Sequence, residues 1–125
     1  MNFDYCTITT TTDDNDIANL IAEILIGERL VACVQSHTVQ SQYRWQGKVT
    51  NEAEIVLQMK TKTAFCARIE ERIRSLHNYD VPEIIVTPIL HANAEYAAWM
   101  EEELRDSSLH SSHTCALREE SPSRR

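Results

Sequence analysis

The chain is poor in the residues that break or bend secondary structure. It has only two glycines, Gly27 and Gly47, and three prolines in 125 residues. An average protein contains about 7 % glycine. With glycines only at these two positions, neither G-x-G-x-x-G nor G-x-x-x-x-G-K can occur, so glycine-rich phosphate-binding loops are excluded.

Long hydrophobic runs are also missing. No stretch approaches the ~20 apolar residues that cross a bilayer, and no apolar core of a signal peptide is present. We therefore expect no membrane partner and a cytoplasmic location. In that compartment the four cysteines are expected to be reduced thiols. None lies in a C-x-x-C pair, which leaves no basis for a zinc ribbon.

The chain has fewer basic than acidic residues. The chain has 12 Lys and Arg against 19 Asp and Glu, a formal net charge of −7. Because affinity for nucleic acid comes largely from Lys and Arg contacts to phosphates, we expect no nucleic-acid partner. An acidic surface still allows a cationic ligand.

The periodicity of apolar residues predicts seven elements. Alternation predicts a strand over 3–10, and an apolar face over 17–25 predicts a helix that the acidic run 13–16 caps and Gly27 ends. The later elements are two long strands at 30–45 and 48–60, a helix at 64–76 with Thr63 as N-cap and Asn78 as left-handed exit, a strand at 84–91 with Pro88 favouring an edge, and a last helix after Asn93 with Trp99 facing inward.

This order predicts an α+β fold. The first six elements follow the β-α-β-β-α-β order of ferredoxin-like folds, and a C-terminal helix follows them. Residues 1–105 form one predicted domain. Residues 106–125 lack periodicity and are predicted to be a flexible tail, in which His110, His113 and Cys115 have ligand-capable spacing.

The two long strands predict a hairpin that projects from its subunit. A strand of about 15 residues spans roughly 50 Å, whereas a domain of about 100 residues has a radius of gyration near 13 Å. Natural proteins cover such open strand edges by pairing them with another chain. Tyr43 and Trp45 share one face near the hairpin tip, so we expect them to be anchors of a homo-oligomer interface.

Five parts of the sequence carry a resemblance to a known family. They are LVACV at 30–34, SQYRWQGK at 41–48, Glu54 with Lys60-Thr61, HNYDVPEI at 77–84 and NAEYAAW at 93–99. In this order they resemble the CutA family, the divalent-cation tolerance proteins. The resemblance implies a ferredoxin-like subunit in a tight homotrimer similar to the PII signalling proteins, with hairpins pairing between subunits. It also implies binding of Cu(2+) or another divalent metal and a response to metal ions.

The resemblance also implies metal ligands. In bacterial members they are a cysteine closing the first strand and a His-His pair ending the second helix. Here Thr10 and Leu76 stand at two of those positions, and His77 remains as the metal candidate. From the residues alone, His77 can equally cap the second helix through its last carbonyls.

A ligand pocket at subunit boundaries is the other expectation. Its candidate residues are Cys33, Lys60, Tyr79 and Glu83, with Lys60 and Glu83 as a possible charged pair. Cys33 can also be a plain core thiol. Three functions remain open: a trimer that binds metal or a small ligand, a trimeric scaffold without metal, and a small enzyme with an intersubunit cleft. No nucleophile elbow is present, so we expect no enzyme.

Overall fold

The computed structural model describes residues 3–104 of the chain, and the tail predicted at 106–125 lies outside them. A short 3-10 turn, Thr63–Phe65, precedes the second helix. The helices and strands of the described residues are, in chain order, β1 (Tyr5–Thr12), α1 (Asn15–Gly27), β2 (Cys33–Trp45), β3 (Lys48–Lys62), α2 (Cys66–Leu76), β4 (Ile84–Pro88) and α3 (Ala94–Glu103).

The four strands form one antiparallel sheet in the order β2-β3-β1-β4. This confirms the α+β, ferredoxin-like fold predicted from the element order. β4 is an edge strand and ends at Pro88, opposite Cys6 of β1. A proline is tolerated there because an edge strand need not donate on its outer side.

The sheet has a core face and an open face. On β1 the even-numbered side chains, Cys6, Ile8, Thr10 and Thr12, are all at most 1 % exposed. Ile8 packs with the apolar stripes of α1 and α2, so the even side of β1 is the core face. The core also contains Ile21 and Leu25 of α1, Leu57 and Met59 of β3, and Ile69 and Ile73 of α2.

The helix ends agree with the sequence at α1 and differ from it at α2. Asp14 caps α1, and its Oδ1 accepts from the backbone N–H groups of Asp16 and Ile17 at 2.8 and 3.2 Å. Thr63 is not an N-cap, because a 3-10 turn begins there and no side chain caps α2. Asn78 is not a left-handed exit, because its φ is not positive, and its side-chain amide is used in tertiary hydrogen bonds instead.

β2 and β3 are joined by a two-residue turn at Gln46 and Gly47. Both residues have positive φ, 51° and 80°. This combination matches the type I′ turn, whose twist fits a hairpin and which favours glycine at its second position. Trp45 and Lys48 pair directly across the turn.

α3 does not bury its tryptophan. Met100 is fully buried, but Trp99, predicted to face the core, is 40 % exposed with its ring 5.3 Å from that of Tyr96. Glu101 instead holds α3 to the sheet, since it accepts from the hydroxyl of Tyr5 and pairs with Lys62.

Candidate functional site

His77 sits where the chain leaves α2 and passes the end of β1. Its backbone N–H donates to Ile73 O at 2.9 Å, and its side chain is fully buried. The N–H of Tyr79 donates to Nδ1 of His77 at 3.0 Å. Nδ1 therefore carries the lone pair, and the proton on Nε2 is donated to Thr11 O at 2.7 Å. The imidazole bridges the end of β1 and the segment that follows α2.

Tyr79 continues this bridge to β3. Its hydroxyl donates to Oε2 of Glu54 at 2.6 Å, and the two side chains are 4 % and 1 % exposed. The Tyr79 ring also lies 4.8 Å from the His77 ring, tilted by 55°. Burial raises the pKa of Tyr79 well above its ordinary value, and the hydrogen bond to Glu54 and that carboxylate's charge raise the pKa further.

Asn78 ties the same corner to β1. Its Oδ1 accepts from Thr12 Oγ1 at 2.7 Å, and its Nδ2 donates to Asp13 Oδ1 at 2.9 Å. We call Thr12, Glu54, His77, Asn78 and Tyr79 the corner cluster. All five side chains are buried, and they join three segments that are distant in sequence.

Lys60 and Cys33 lie away from the corner cluster. They pair directly across β3 and β2, and Lys60 Nζ donates to Gln35 Oε1 at 2.6 Å. Lys60 and Glu54 are six positions apart along β3, which corresponds to about 20 Å. Of the four predicted pocket residues, Tyr79 therefore lies at one end of the sheet and Cys33 and Lys60 at the other.

Cys33 is half-buried rather than enclosed in the core. Tyr96 of α3 is a neighbour of this thiol. Burial raises the pKa of Tyr96, and the neighbouring Cys33 raises it further. The α3 helix thus reaches the same end of the open face as Lys60.

The possible charged pair between Lys60 and Glu83 is not formed within the subunit. Glu83 precedes Ile84, which pairs with Thr10, whereas Lys60 pairs with Thr7. The two residues are thus offset by about 13 Å along the strands, with β1 between them. Strand register sets this separation, and the sequence pattern does not reveal it.

A metal ion does not fit the donors around His77 in one subunit. Both imidazole nitrogens already take part in hydrogen bonds to protein groups. Thr10 and Leu76 are 0 % and 1 % exposed, and neither side chain supplies a soft donor. Across residues 3–104 no three side chains of His, Cys, Asp or Glu gather closely enough to hold a metal. His77 is also the C-cap residue of α2, and its ring is hydrogen-bonded to Thr11 and Tyr79.

The hairpin extends well beyond the sheet. β1 pairs with β3 only as far as Ile55, while β2 and β3 continue together from Val39↔Glu54 to Trp45↔Lys48. We call residues 39–54 the arm, and seven residue pairs make it about 23 Å long. Tyr43 and Trp45 lie half-buried on one face of it, and the Tyr43 hydroxyl donates to Glu52.

Sequence reasoning identified Tyr79 and His77 but missed the depth at which Glu54 lies. In the sequence, Glu52 and Glu54 lie two residues apart on one face of a strand. The two carboxylates have different partners, Tyr79 and Tyr43. The sequence does indicate on which side of β3 Glu54 lies. The odd-numbered apolar residues of β3 face the core, so the even-numbered Glu54 lies on the opposite side, which the segment after α2 covers.

Comparison with known proteins identifies the family. The sequence model of the CutA1 divalent ion tolerance protein family matches residues 6–103. The chain belongs to this family. That range includes the arm and the whole corner cluster, so the family pattern spans both features. The family is described by divalent ion tolerance and not by a catalysed reaction.

Relatives from distant organisms are similar to this chain in sequence and in fold. The divalent-cation tolerance protein CutA of Thermus thermophilus is 42 % identical over 93 residues, which cover 74 % of this chain and 90 % of that protein. CutA of Pyrococcus horikoshii is 34 % identical over 96 residues, 77 % of this chain and 94 % of its own length. The crystal structure of CutA1 from a psychrotrophic Shewanella has a TM-score of 0.81 at 34 % identity, covering 85 % of this chain and 100 % of that one. None of the helices within residues 3–104 is long and apolar enough to cross a membrane.

Proposed function

We propose that this CutA-family chain is a homotrimeric divalent-cation tolerance protein whose subunits associate through the arm. The observation that carries the proposal is the arm itself, a two-stranded ribbon with no third strand beside it in residues 3–104. An isolated two-stranded hairpin is marginally stable in water. A second and third subunit would supply the missing strands and cover its edges.

Apolar side chains on exposed surfaces support the same assembly. Val49 of the arm is 68 % exposed and Ile85 of β4 is 53 % exposed. Trp45 lies at the arm tip, far from the core of its own subunit. Aromatic and apolar groups of this kind are enriched in the centres of protein interfaces.

We further propose that the cation or small ligand binds at the boundary between subunits. The imidazole of His77 can join a metal only by giving up one of its two hydrogen bonds. The open face carries other donors that the fold does not enclose, namely Cys33 and His37 on β2. A neighbouring subunit at this face would add the further ligands that Cu(2+) or another divalent cation requires.

Calorimetric titration with Cu(2+) tests this assignment. The full chain is used with His110, His113 and Cys115 replaced by alanine, so that the tail contributes no ligands. We expect saturable binding that His77→Ala retains and His37→Ala weakens at least tenfold. Loss of binding in His77→Ala alone would place the metal at His77 and contradict the boundary assignment.

The second candidate function is a trimeric scaffold without a metal site. It is favoured by the hydrogen bonds that occupy both nitrogens of His77 and by Thr10 and Leu76 at the other family ligand positions. A trimer that gives no saturable heat with Cu(2+), Zn(2+) or Ni(2+) would select it. The cytoplasmic location and the lack of an enzymatic activity stay predictions.

A further inference from the structure

Two cysteines that are far apart in sequence meet beneath the sheet. The Sγ atoms of Cys6 and Cys66 lie 3.3 Å apart, although the two residues are 60 positions apart in the chain. Cys6 is on the core face of β1, and Cys66 is the first residue of α2. Both thiols are free. Neither residue is at a position of the metal ligands that the resemblance to the CutA family implies.

We propose that Cys6 and Cys66 are a modification site, at which a small oxidant converts the two thiols into a reversible intrachain disulfide that locks α2 to β1. A disulfide requires an S–S distance of about 2.05 Å, so the sulfurs need to approach by about 1.3 Å. The backbone already brings the two positions together, because Thr63 N–H, at the entrance to α2, donates to Asp4 O at 2.9 Å.

The two thiols differ in exposure, which sets the order of events. Cys66 is partly exposed, whereas Cys6 is 1 % exposed and its burial raises its pKa to about 12. A thiolate is the attacking species in thiol–disulfide exchange. We therefore assign the first step to Cys66 and the second to Cys6, which stays protonated until a mixed disulfide stands beside it.

The chemistry balances with oxidised glutathione as the oxidant. The Cys66 thiolate attacks one glutathione sulfur, which forms a mixed disulfide and releases one glutathione thiolate. Cys6 Sγ then attacks Cys66 Sγ, its proton passes to the second departing glutathione sulfur, and the Cys6–Cys66 bond forms. Two protein thiols are oxidised, and one glutathione disulfide is reduced to two thiols. An excess of a dithiol reverses both steps.

The site selects one pair of cysteines. Cys33 lies opposite Lys60 on the open face of the sheet, whereas Cys6 belongs to the core face. Within one subunit, Cys33 is therefore on the wrong side of the sheet to compete for Cys66. The remaining cysteine, Cys115, lies outside the described residues.

Peptide mapping of the full chain tests the proposal directly. Trypsin places each cysteine in its own peptide, at residues 1–29, 30–44, 63–68 and 106–118. After treatment with oxidised glutathione and alkylation without reduction, we expect peptide 1–29 linked to peptide 63–68. The number of titratable thiols in the denatured chain should fall from four to two. A non-reducing gel should show a single chain, and dithiothreitol should restore the missing thiols.

Two variants test which cysteines form the disulfide. Cys33→Ser should retain the linked peptide, and Cys66→Ser should lose it without any new link to peptide 1–29. The proposal is overturned if Cys66 carries glutathione without a link to Cys6. A link from peptide 63–68 to 30–44 or 106–118 would overturn it as well, as would four unchanged thiols in the treated wild-type chain.

Discussion

The hydroxyl of Tyr79 donates a 2.6 Å hydrogen bond to Glu54, which joins the segment after α2 to the root of the arm. Both side chains are buried, and His77 braces the same segment against β1 through Thr11. The corner cluster therefore connects the root of the arm and the end of β1 through one segment. Within the subunit, the side chains of His77 and Tyr79 are hydrogen-bonded to β1 and to the root of the arm.

Tyr79→Phe should lower the free energy of unfolding by about 2 kcal/mol, because it removes a donor from a buried carboxyl group. The matched control is Tyr5→Phe. Its hydroxyl donates to Glu101, whose side chain is 51 % exposed, so we expect a loss below about 1 kcal/mol there. Urea unfolding at one fixed protein concentration measures both. Equal losses in the two variants would show that burial of the Tyr79–Glu54 pair contributes nothing.

Alkaline pH should destabilise the fold through the same tyrosine. The pKa of Tyr79 is raised above its ordinary value of 10.0, so the folded chain holds the proton after the unfolded chain has lost it. Its contribution to stability is then fully present below pH 10 and declines as pH rises above that value. In an absorbance titration at the tyrosinate band, the Tyr79→Phe variant should lack a step that wild type shows only on unfolding. A Tyr79 step at an ordinary tyrosine pKa would contradict this.

Thr10 and Thr12 form a matched pair of tests on β1. Both are fully buried, but Thr10 Oγ1 has no hydrogen-bond partner among residues 3–104, whereas Thr12 Oγ1 donates to Asn78. Thr10→Val should therefore raise the free energy of unfolding by about 1 kcal/mol, and Thr12→Val should lower it by about 1 kcal/mol. Thermal unfolding of the two variants beside wild type provides the measurement. The same sign of change in both would refute this reading of the two hydroxyl groups.

Trp45→Ala should weaken subunit association about tenfold or more, because it removes the aromatic anchor at the arm tip. Arg44→Ala is the control, since Arg44 is the neighbouring residue on the opposite face of the arm. Sedimentation velocity over a dilution series compares the two. If both variants dissociate at the concentration at which wild type does, the tip of the arm is not an interface.

Local patterns in the sequence were sufficient to predict the sheet, the helices and the long hairpin. Alternation along β3 and the i, i+3, i+4 spacing in α1 indicate which side of each element is apolar. The apolar sides must pack together, and this requirement predicts the fold. Trp99 does not face the core as predicted, because the core-facing positions of this helix end are taken by Met100 and Leu104. Trp99 is 40 % exposed, and its ring contacts that of Tyr96.

The corner cluster was less predictable, because its hydrogen bonds connect distant parts of the chain. His77 and Asn78 bond to Thr11 and Thr12, 66 residues earlier, and Tyr79 bonds to Glu54 across 25 residues. No periodicity encodes such contacts. The separation of Lys60 from Glu83 depends in the same way on strand register, which fixes which residues of β1 stand between them.

The mass of the full chain in solution, measured by light scattering across a range of concentrations, tests the central claim most directly. One chain has a mass of 14.4 kDa. Our account predicts a stable particle of three times that mass, which Trp45→Ala shifts toward smaller species. A monomer of 14.4 kDa that persists at high concentration would contradict it, because the arm would then be stable with its edges uncovered.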